Sequence, residues 1–592
     1  MKKNVLLFII DSLNFSRLKN SDETLMPYLD QLSKQGVCCE NMFSQAPYTE
    51  AAVMDIYCGQ NVLDNGGYLK RFKYANKTIF EAMKENGYIT YYNSYQPQCF
   101  PSTLRRGIDY IYYNVGFDLG ALWSYRLYHY ASLLNDEALT EEDNNNLIDI
   151  FDDNFEEWLL FVRNLMDDDE SCSLIQGNDR GYNPQVVYTQ VEREYSLYND
   201  NKLDYIYSVL RKGLDHPIYK IPAYVQNNKI KDRTKLNEIT VLFKPLLKDI
   251  RRLDFKLNIA NNQGFTRGIF RKFKEFCKKP SKTSYKNFLK SLYVVANVLV
   301  DLDIYQRIGD NLDEFKNAPS AKRHIDHYIK WATSNNTKPH FACIHVDDIH
   351  NPEEFFTYDS EDIDLLKREK KSAQGYLNRI RKDYKGSITH DLSLIYIDSV
   401  IKYLVDTMKD KNIFDNTVIC ITADHGFSFA GYPLRDSFVI NLYLENYRVP
   451  FVVVNSGLPA KRIDKICITK DIPNTIIDIT EQKSDHSFVG HSILSDFKYE
   501  RSMIEYCGGG CPDLTRRELK IASFDSYYFV GSLCSLKEDF DWSKITEVYD
   551  LKNDPLQLNN LVKNMDKQTI KPYFTDILNR HNVLRKENLL IN

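Results

Sequence analysis

Four short apolar runs in this 592-residue chain each end abruptly in polar residues. They are NVLLFIID (4–11), HFACIHVDDIH (340–350), TVICITADHG (417–426) and VPFVVVNSG (449–457). Runs that do not alternate and are rich in Val and Ile are expected of central parallel strands buried on both faces. Helix-patterned segments lie between them: TIFEAMKENGY (78–88), SLIYIDSVIKYLVDTMKDKN (393–412) and KDIPNTIIDIT (470–480). Strand and helix repeated in this way predict an α/β fold built on a doubly wound, mainly parallel sheet. Such sheets bind ligands beyond the carboxyl ends of their strands, and Asp11, His350, Asp424 and His425 all fall there.

The chain is too long for one simple core, and the pattern changes twice along it. Residues 116–320 lose the alternation and become rich in helix-forming and charged residues, which predicts a helical insertion between 1–115 and 321–490. Its basic close, RGIFRKFKEFCKKPSKTSYKNFLK (267–290), reads as a solvated helix face or as a contact for anionic lipid or substrate. The aromatic stretch 110–130 reads as the insertion packing on the core, or as a lipid or glycan contact. Beyond about 490, IASFDSYYFVGSL and EVYDLKNDPLQLNNL predict a small C-terminal α+β subdomain (491–592), mostly antiparallel and followed by a short helix.

With 43% hydrophobic and 27% charged residues and a formal net charge of -5, the chain has no basic excess of the kind a general nucleic-acid binder shows. Its start, MKKNVLLFIID, imitates a signal peptide, but the apolar run is short and Asp11 ends it without a small-residue cleavage site. A buried strand is the better reading. No stretch reaches the roughly 18 apolar residues of a membrane span, so no transmembrane segment is expected. The twelve cysteines include Cys343 and Cys420 inside apolar runs, which suits buried thiols in a reducing cytoplasm better than a disulfide frame.

TADHG carries the strongest chemical signal. A strand-end Asp beside a His offers a carboxylate and an imidazole to a divalent ion, although a turn or a helix cap would use the same residues. Asp11, ending another strand, adds a further oxygen. Thr49 in SQAPYTEAAVMDIYCG (44–59) heads a helix expected to begin near Glu50, and its hydroxyl has two readings. It is either an N-cap or, with a cation lowering its pKa, a nucleophile whose helix offers N–H donors to an anionic ester.

Taken together these residues resemble the alkaline phosphatase and sulfatase superfamily, in its sulfatase-like branch. The matching pieces run nearly the length of the chain: NVLLFIIDSL, Thr49 ten residues before Gly59, TIFEAMKENGYITYY (78–92), HVDDIHNP (345–352), VICITADHGFSFAGY (418–432), YRVPFVVV (447–454), DIPNTIIDI (471–479) and EVYDLKNDPLQLNNL (547–561). The resemblance implies an alkaline phosphatase-like fold in which Asp11, Asp424 and His425 are metal ligands and Thr49 is a nucleophile that also touches the metal. It implies a divalent ion, Mn, Zn, Ca or Mg, and a covalent phospho- or sulfo-enzyme released to water or an acceptor alcohol. His350 matches a histidine that contacts the transferred group or protonates the leaving oxygen.

Departures from the family pattern narrow the expectation. Formylglycine sulfatases resemble CxPxR at the nucleophile, whereas here Thr49, Ala51 and Val53 occupy those positions. The usual second acid after the first metal Asp is Ser12. No lysine stands upstream of YLENYRVP where many sulfatases hold one, and Arg435 is the candidate to replace it. Cys507 and Cys511 flank a glycine-rich turn read as approaching the substrate pocket through its backbone, with zinc as the other option. Asp347 and Asp348 orient His350 or join it in a second metal site. The expected function is therefore a metal-dependent hydrolase or transferase acting through Thr49 on the phosphate or sulfate ester of a small molecule, glycan, glycolipid or phosphodiester. An arylsulfatase-type enzyme is the alternative, and a non-catalytic glycan- or partner-binding protein on the same fold is the rival from another class.

Overall fold

The computed structural model describes residues 2–15, 24–61, 63–64, 77–94, 106–113, 127, 130–131, 133–167, 184–220, isolated positions between 241 and 281, 321–335, 337–346, 348–349, 363–378, 388–426, 442–481, 487–507 and 519–591. Its centre is a nine-stranded sheet. The strands are β1 (Asn4–Ile10), β2 (Val37–Phe43), β3 (Ile89–Ser94), β4 (Tyr110–Tyr113), β5 (His340–Val346), β6 (Thr417–Thr422), β7 (Arg448–Val454), β8 (Lys461–Ile463) and β9 (Cys467–Ile468). Their order is β4-β3-β5-β1-β6-β7-β2-β8, with β9 also pairing β2. The pairs β4-β3, β3-β5, β5-β1 and β1-β6 are all parallel.

One strand runs against the expectation. The unalternating run VPFVVV predicts a central parallel strand, and β7 is central but antiparallel to both β6 and β2. A strand buried on both faces presents the same apolar run in either direction, so its composition cannot report its polarity. Pro450 is the local trace of the arrangement, because a proline has no N–H for a central ladder. Opposite it, the β2 register jumps from Cys39↔Phe451 to Met42↔Val449, a bulge that accommodates the missing donor. The Pro450 carbonyl instead accepts the Thr422 hydroxyl at 2.8 Å.

Described helices are α1 (Pro27–Gln35), α2 (Thr49–Cys58), α3 (Ile79–Glu85), α4 (Glu141–Asp167), α5 (Pro184–Asp200), α6 (Lys202–Lys212), α7 (Ala321–Ser334), α8 (Ile363–Leu377), α9 (Ile388–Asp410), α10 (Ile472–Ile479) and α11 (Lys567–Ile591). Strand alternation shows that the two sheet faces carry different helices. Phe80 of α3 packs on Phe341 and Tyr92, and Tyr57 of α2 reaches Tyr92 and Cys343. The intervening residues face the other way: Tyr91 stacks on Trp331 of α7 and His340 contacts Tyr328. Helices α1, α8 and α9 share that second layer with α7 through α9. This two-sided covering is what a doubly wound α/β fold requires.

Helices α4, α5 and α6 enclose a core of their own, which includes Phe151, Phe155, Trp158, Val191, Tyr198 and Ile206. A second sheet, β10 (Ser502–Cys507), β11 (Leu519–Phe524), β12 (Tyr528–Cys534) and β13 (Ile545–Asp550), is antiparallel throughout. The helix that follows is not short: α11 runs 25 residues. Its buried stripe, Ile570, Tyr573, Ile577, Arg580, His581 and Leu584, packs on β11 and β12, and half that stripe is polar, which weakens the apolar signal. α2 is enclosed from both sides. Val53, Met54, Ile56 and Tyr57 join the main core, whereas Ala51 and Ala52 pack with Leu519, Ile521 and Val530 of the second sheet.

Candidate metal and nucleophile site

Strands β5, β1 and β6 lie side by side, and their register sets the site. Ile9 pairs with His345 on one side and Thr422 on the other. Paired residues of parallel strands face the same way, and so do residues two apart. Asp11 and Asp424, each two residues beyond that level, therefore leave the sheet on one face, above His345. It is the face covered by α2, and α2 brings Thr49. Asp11, Asp424 and His345 are fully buried, while Thr49 is 9% exposed.

The Thr49 hydroxyl donates to Asp11 Oδ2 at 3.1 Å and lies 3.4 Å from His425 Nε2. Thr49 is thus not an N-cap: Tyr48 takes that position without a side-chain bond, and α2 begins at Thr49 itself rather than at Glu50. The first intrahelical bond comes from Ala52 N to Tyr48 O at 3.0 Å, so the N–H groups before it have no partner within the helix. Asp55 holds the approach to Thr49, accepting Gln45 N at 3.2 Å and the Thr469 hydroxyl at 2.9 Å. Burial pushes the Asp55 carboxyl well up, against the pull of Thr469 and Lys470.

His425 Nε2 stands 3.7 Å from Asp11 Oδ1 and 3.6 Å from Asp424 Oδ2. Its Nδ1–H donates to the Gly426 carbonyl at 2.6 Å, a bond that fixes the ring and turns Nε2 toward the carboxylates. Burial on its own would lower this imidazole's pKa; Asp424, Asp11 and the Gly426 carbonyl together outweigh burial and raise it. The site thus attracts positive charge. Gly426 has no room for a side chain, since a Cβ would stand 2.3 Å from the Glu445 carbonyl. Ser12 ties the two acids together: its hydroxyl donates to Asp11 Oδ1 at 2.6 Å and its amide to Asp424 Oδ1 at 3.1 Å.

These donors fit a divalent ion. Among the described residues, Asp424 Oδ2 and both ring nitrogens of His345 are buried without a hydrogen-bond partner. One donor atom each from Asp11, His345 and Asp424 lies within 4.8 Å of the others. Of the residues singled out in the sequence, Asp11, Thr49, Asp424 and His425 converge here. His350, Arg435, Asp347 and Cys511 lie outside the described residues. Asp348 accepts Ala321 N with both oxygens, at 3.0 and 3.2 Å, and so anchors the start of α7. His345 escaped the sequence reading because it sits inside the strand, not at its end; a lone imidazole in an apolar run was its signal.

Among known proteins, N-acetylglucosamine-6-sulfatase of Capra hircus is 25% identical over 207 residues, which is 30% of this chain and 37% of that protein. Choline-sulfatase of Rhizobium meliloti (strain 1021) is 22% identical over 195 residues, 32% of this chain and 34% of that protein. The chain thus spans little more than a third of these curated relatives. A solved structure of the phosphonate monoester hydrolase of Agrobacterium radiobacter superposes with a TM-score of 0.47 at 12% identity, covering 99% of this chain and 96% of that one. The family model described as Sulfatase matches residues 3–210 and 254–495, most of the chain, and the protein belongs to the sulfatase family.

Proposed function

We propose that this protein is a metal-dependent hydrolase of sulfate or phosphate esters with Thr49 as its nucleophile. The observation that carries the reading is the Thr49 hydroxyl donating to Asp11 Oδ2 at 3.1 Å, 3.4 Å from His425 Nε2. A divalent ion held by Asp11, Asp424, His425 and Thr49 would supply the Lewis acidity that makes a threonine oxygen reactive at neutral pH. Asp11 accepts the hydroxyl proton as Thr49 Oγ1 forms its bond to phosphorus or sulfur and the ester oxygen departs. His350 is the residue proposed to protonate that oxygen. The N–H groups opening α2 would donate to the non-bridging oxygens of the bound ester. Water then cleaves the covalent ester, or an acceptor alcohol does so in a transferase. Arg435 is proposed as the cation for the ester oxygens.

Threonine in place of a modified cysteine supports phosphoryl chemistry. The names of the relatives, an N-acetylglucosamine-6-sulfatase and a choline-sulfatase, support a sulfate monoester as the second reading. Within this proposal residues 1–115 and 321–490 form the catalytic domain, 116–320 an insertion and 491–592 a C-terminal subdomain. The described thiols, Cys38, Cys39, Cys58, Cys343, Cys420, Cys467 and Cys534 among them, support a reducing, cytoplasmic setting. The test is a panel of p-nitrophenyl phosphate, a phosphodiester, a phosphonate monoester and p-nitrophenyl sulfate, each with Mn²⁺, Zn²⁺, Ca²⁺ and Mg²⁺. Thr49→Ala is expected to lose at least about a thousandfold in turnover on whichever ester is cleaved. Equal rates in the two proteins would remove Thr49 as nucleophile.

A further inference from the structure

We infer that His345 is a nitrogen ligand of the metal, alongside His425, and that the site consequently selects a transition-metal ion such as Mn²⁺ or Zn²⁺ over Ca²⁺ and Mg²⁺. The inference rests on the metal reading above. Asp424 Oδ1 already accepts two amides, Ser12 N at 3.1 Å and His425 N at 2.7 Å. Oδ2 is its remaining oxygen, buried and without a hydrogen-bond partner among the described residues. Two imidazole nitrogens converge on that one atom, His425 Nε2 at 3.6 Å and His345 Nε2 at 3.8 Å. Ligands that share an ion about 2.1 Å away stand roughly 3–4 Å apart, so these separations suit a common metal.

Among the described residues His345 has no competing engagement. Neither ring nitrogen has a hydrogen-bond partner among the described residues, and the residue is fully buried. No bond from a described residue dictates its tautomer, and Nε2 can present its lone pair to an ion. Its neighbour across β1, Thr422, gives its hydroxyl to the Pro450 and Ala423 carbonyls and not to the ring. The ring's height is set by β5, which is clamped between β3 and β1 with His345 level with Ser94 and Ile9. A donor set of two imidazoles, two carboxylates and a hydroxyl differs from the all-oxygen shell that Ca²⁺ and Mg²⁺ favour.

The test is made on the full chain. Chelator-treated protein is loaded with Mn²⁺, and the coupled imidazole nitrogens are counted by electron spin-echo modulation with ¹⁵N-histidine labelling. Two imidazoles are expected in the wild type and one in His345→Ala. Equilibrium dialysis should show Mn²⁺ and Zn²⁺ bound more tightly than Ca²⁺ and Mg²⁺, and a Kd for Mn²⁺ weakened in His345→Ala by at least the roughly 10–100-fold that loss of an outer-shell partner costs. His345→Gln, which better fills the ring's space, is run beside it with a thermal unfolding scan, while the wild-type count needs no variant. One imidazole in the wild type, or tighter binding of Ca²⁺ than of Mn²⁺, overturns the ligand assignment and leaves the metal reading standing. No binding of any of the four ions overturns both.

Discussion

Ser12 adopts a left-handed backbone conformation, φ 65°, where the chain turns off the end of β1. That region costs a residue with a Cβ roughly 1 kcal/mol and costs glycine almost nothing. The strain coincides with a double tether, since this turn lets the Ser12 hydroxyl reach Asp11 while its amide reaches Asp424. Removing the hydroxyl deprives a buried carboxylate of a donor, a loss of about 1–3 kcal/mol. Ser12→Ala should therefore lose the bond and keep the strain, whereas Ser12→Gly loses the bond and sheds the strain. In urea unfolding of metal-free protein, the glycine variant should be the more stable of the two by about 1 kcal/mol. An alanine variant as stable as the glycine one would show that the turn stores nothing. The same turn shows what a sequence can convey at this scale. Asp11, Asp424 and His425 stood out because each follows an apolar run, and Thr49 because it heads a helix. His345 did not, because its approach to Asp424 depends on the β5–β1–β6 register, which no single strand encodes.

The helix layer opposite Thr49 is held in place by a carboxylate from another helix. α1 has Met26 at its N-cap with no side-chain bond, and Asp398 of α9 substitutes, accepting Tyr28 N at 3.0 Å and Leu29 N at 2.8 Å. Burial pushes the Asp398 carboxyl up to about 6, with the two amides pulling the other way and Asp30 adding to the rise. A folded-state pKa above the unfolded value means that the folded chain holds more protons, so this group's contribution to stability is full below about pH 4 and lost as pH rises through about 6. Asp398→Asn removes the charge and keeps one of the two acceptor oxygens, so one amide loses its partner at every pH and only the remaining difference varies with pH. Its stability relative to wild type should improve by about 2 kcal/mol between pH 4 and pH 7, read from urea midpoints across that range. A constant difference would mean that Asp398 does not titrate there. Elements like α9 were legible beforehand, its run of apolar positions placing a helix at 393–412 against the observed Ile388–Asp410. The direction of β7 was not, because reversing VPFVVV leaves its burial unchanged and only the bulge opposite Pro450 betrays the pairing.

At the scale of the molecule, α2 lies between the central sheet and the C-terminal one, and a buried charge cluster fastens the second sheet to the chain just beyond it. Arg580 of α11 grips Glu505 of β10 through two bonds of 2.6 Å and contacts Asp64, a few residues past α2, at 2.6 Å. Glu505 Oε1 also accepts Leu63 N at 3.1 Å. Burial opposes the charge on Arg580, but Glu505 and Asp64 more than compensate and raise its pKa. Breaking such a pair from one side leaves a buried charge uncompensated, which costs about 3–5 kcal/mol, more than the intact pair contributes over an apolar pair. Arg580→Met should destabilise by that amount. Adding Glu505→Gln, which removes the negative charge and still accepts Leu63 N, should restore part of it. Because Ala51 and Ala52 pack against this second sheet, the single variant should also slow Thr49-dependent ester cleavage and expose α11 to limited proteolysis, and the double variant should reverse both in part. Additive losses in the double variant would show that Arg580 and Glu505 act independently, and that the second sheet is held to α2 by apolar packing alone.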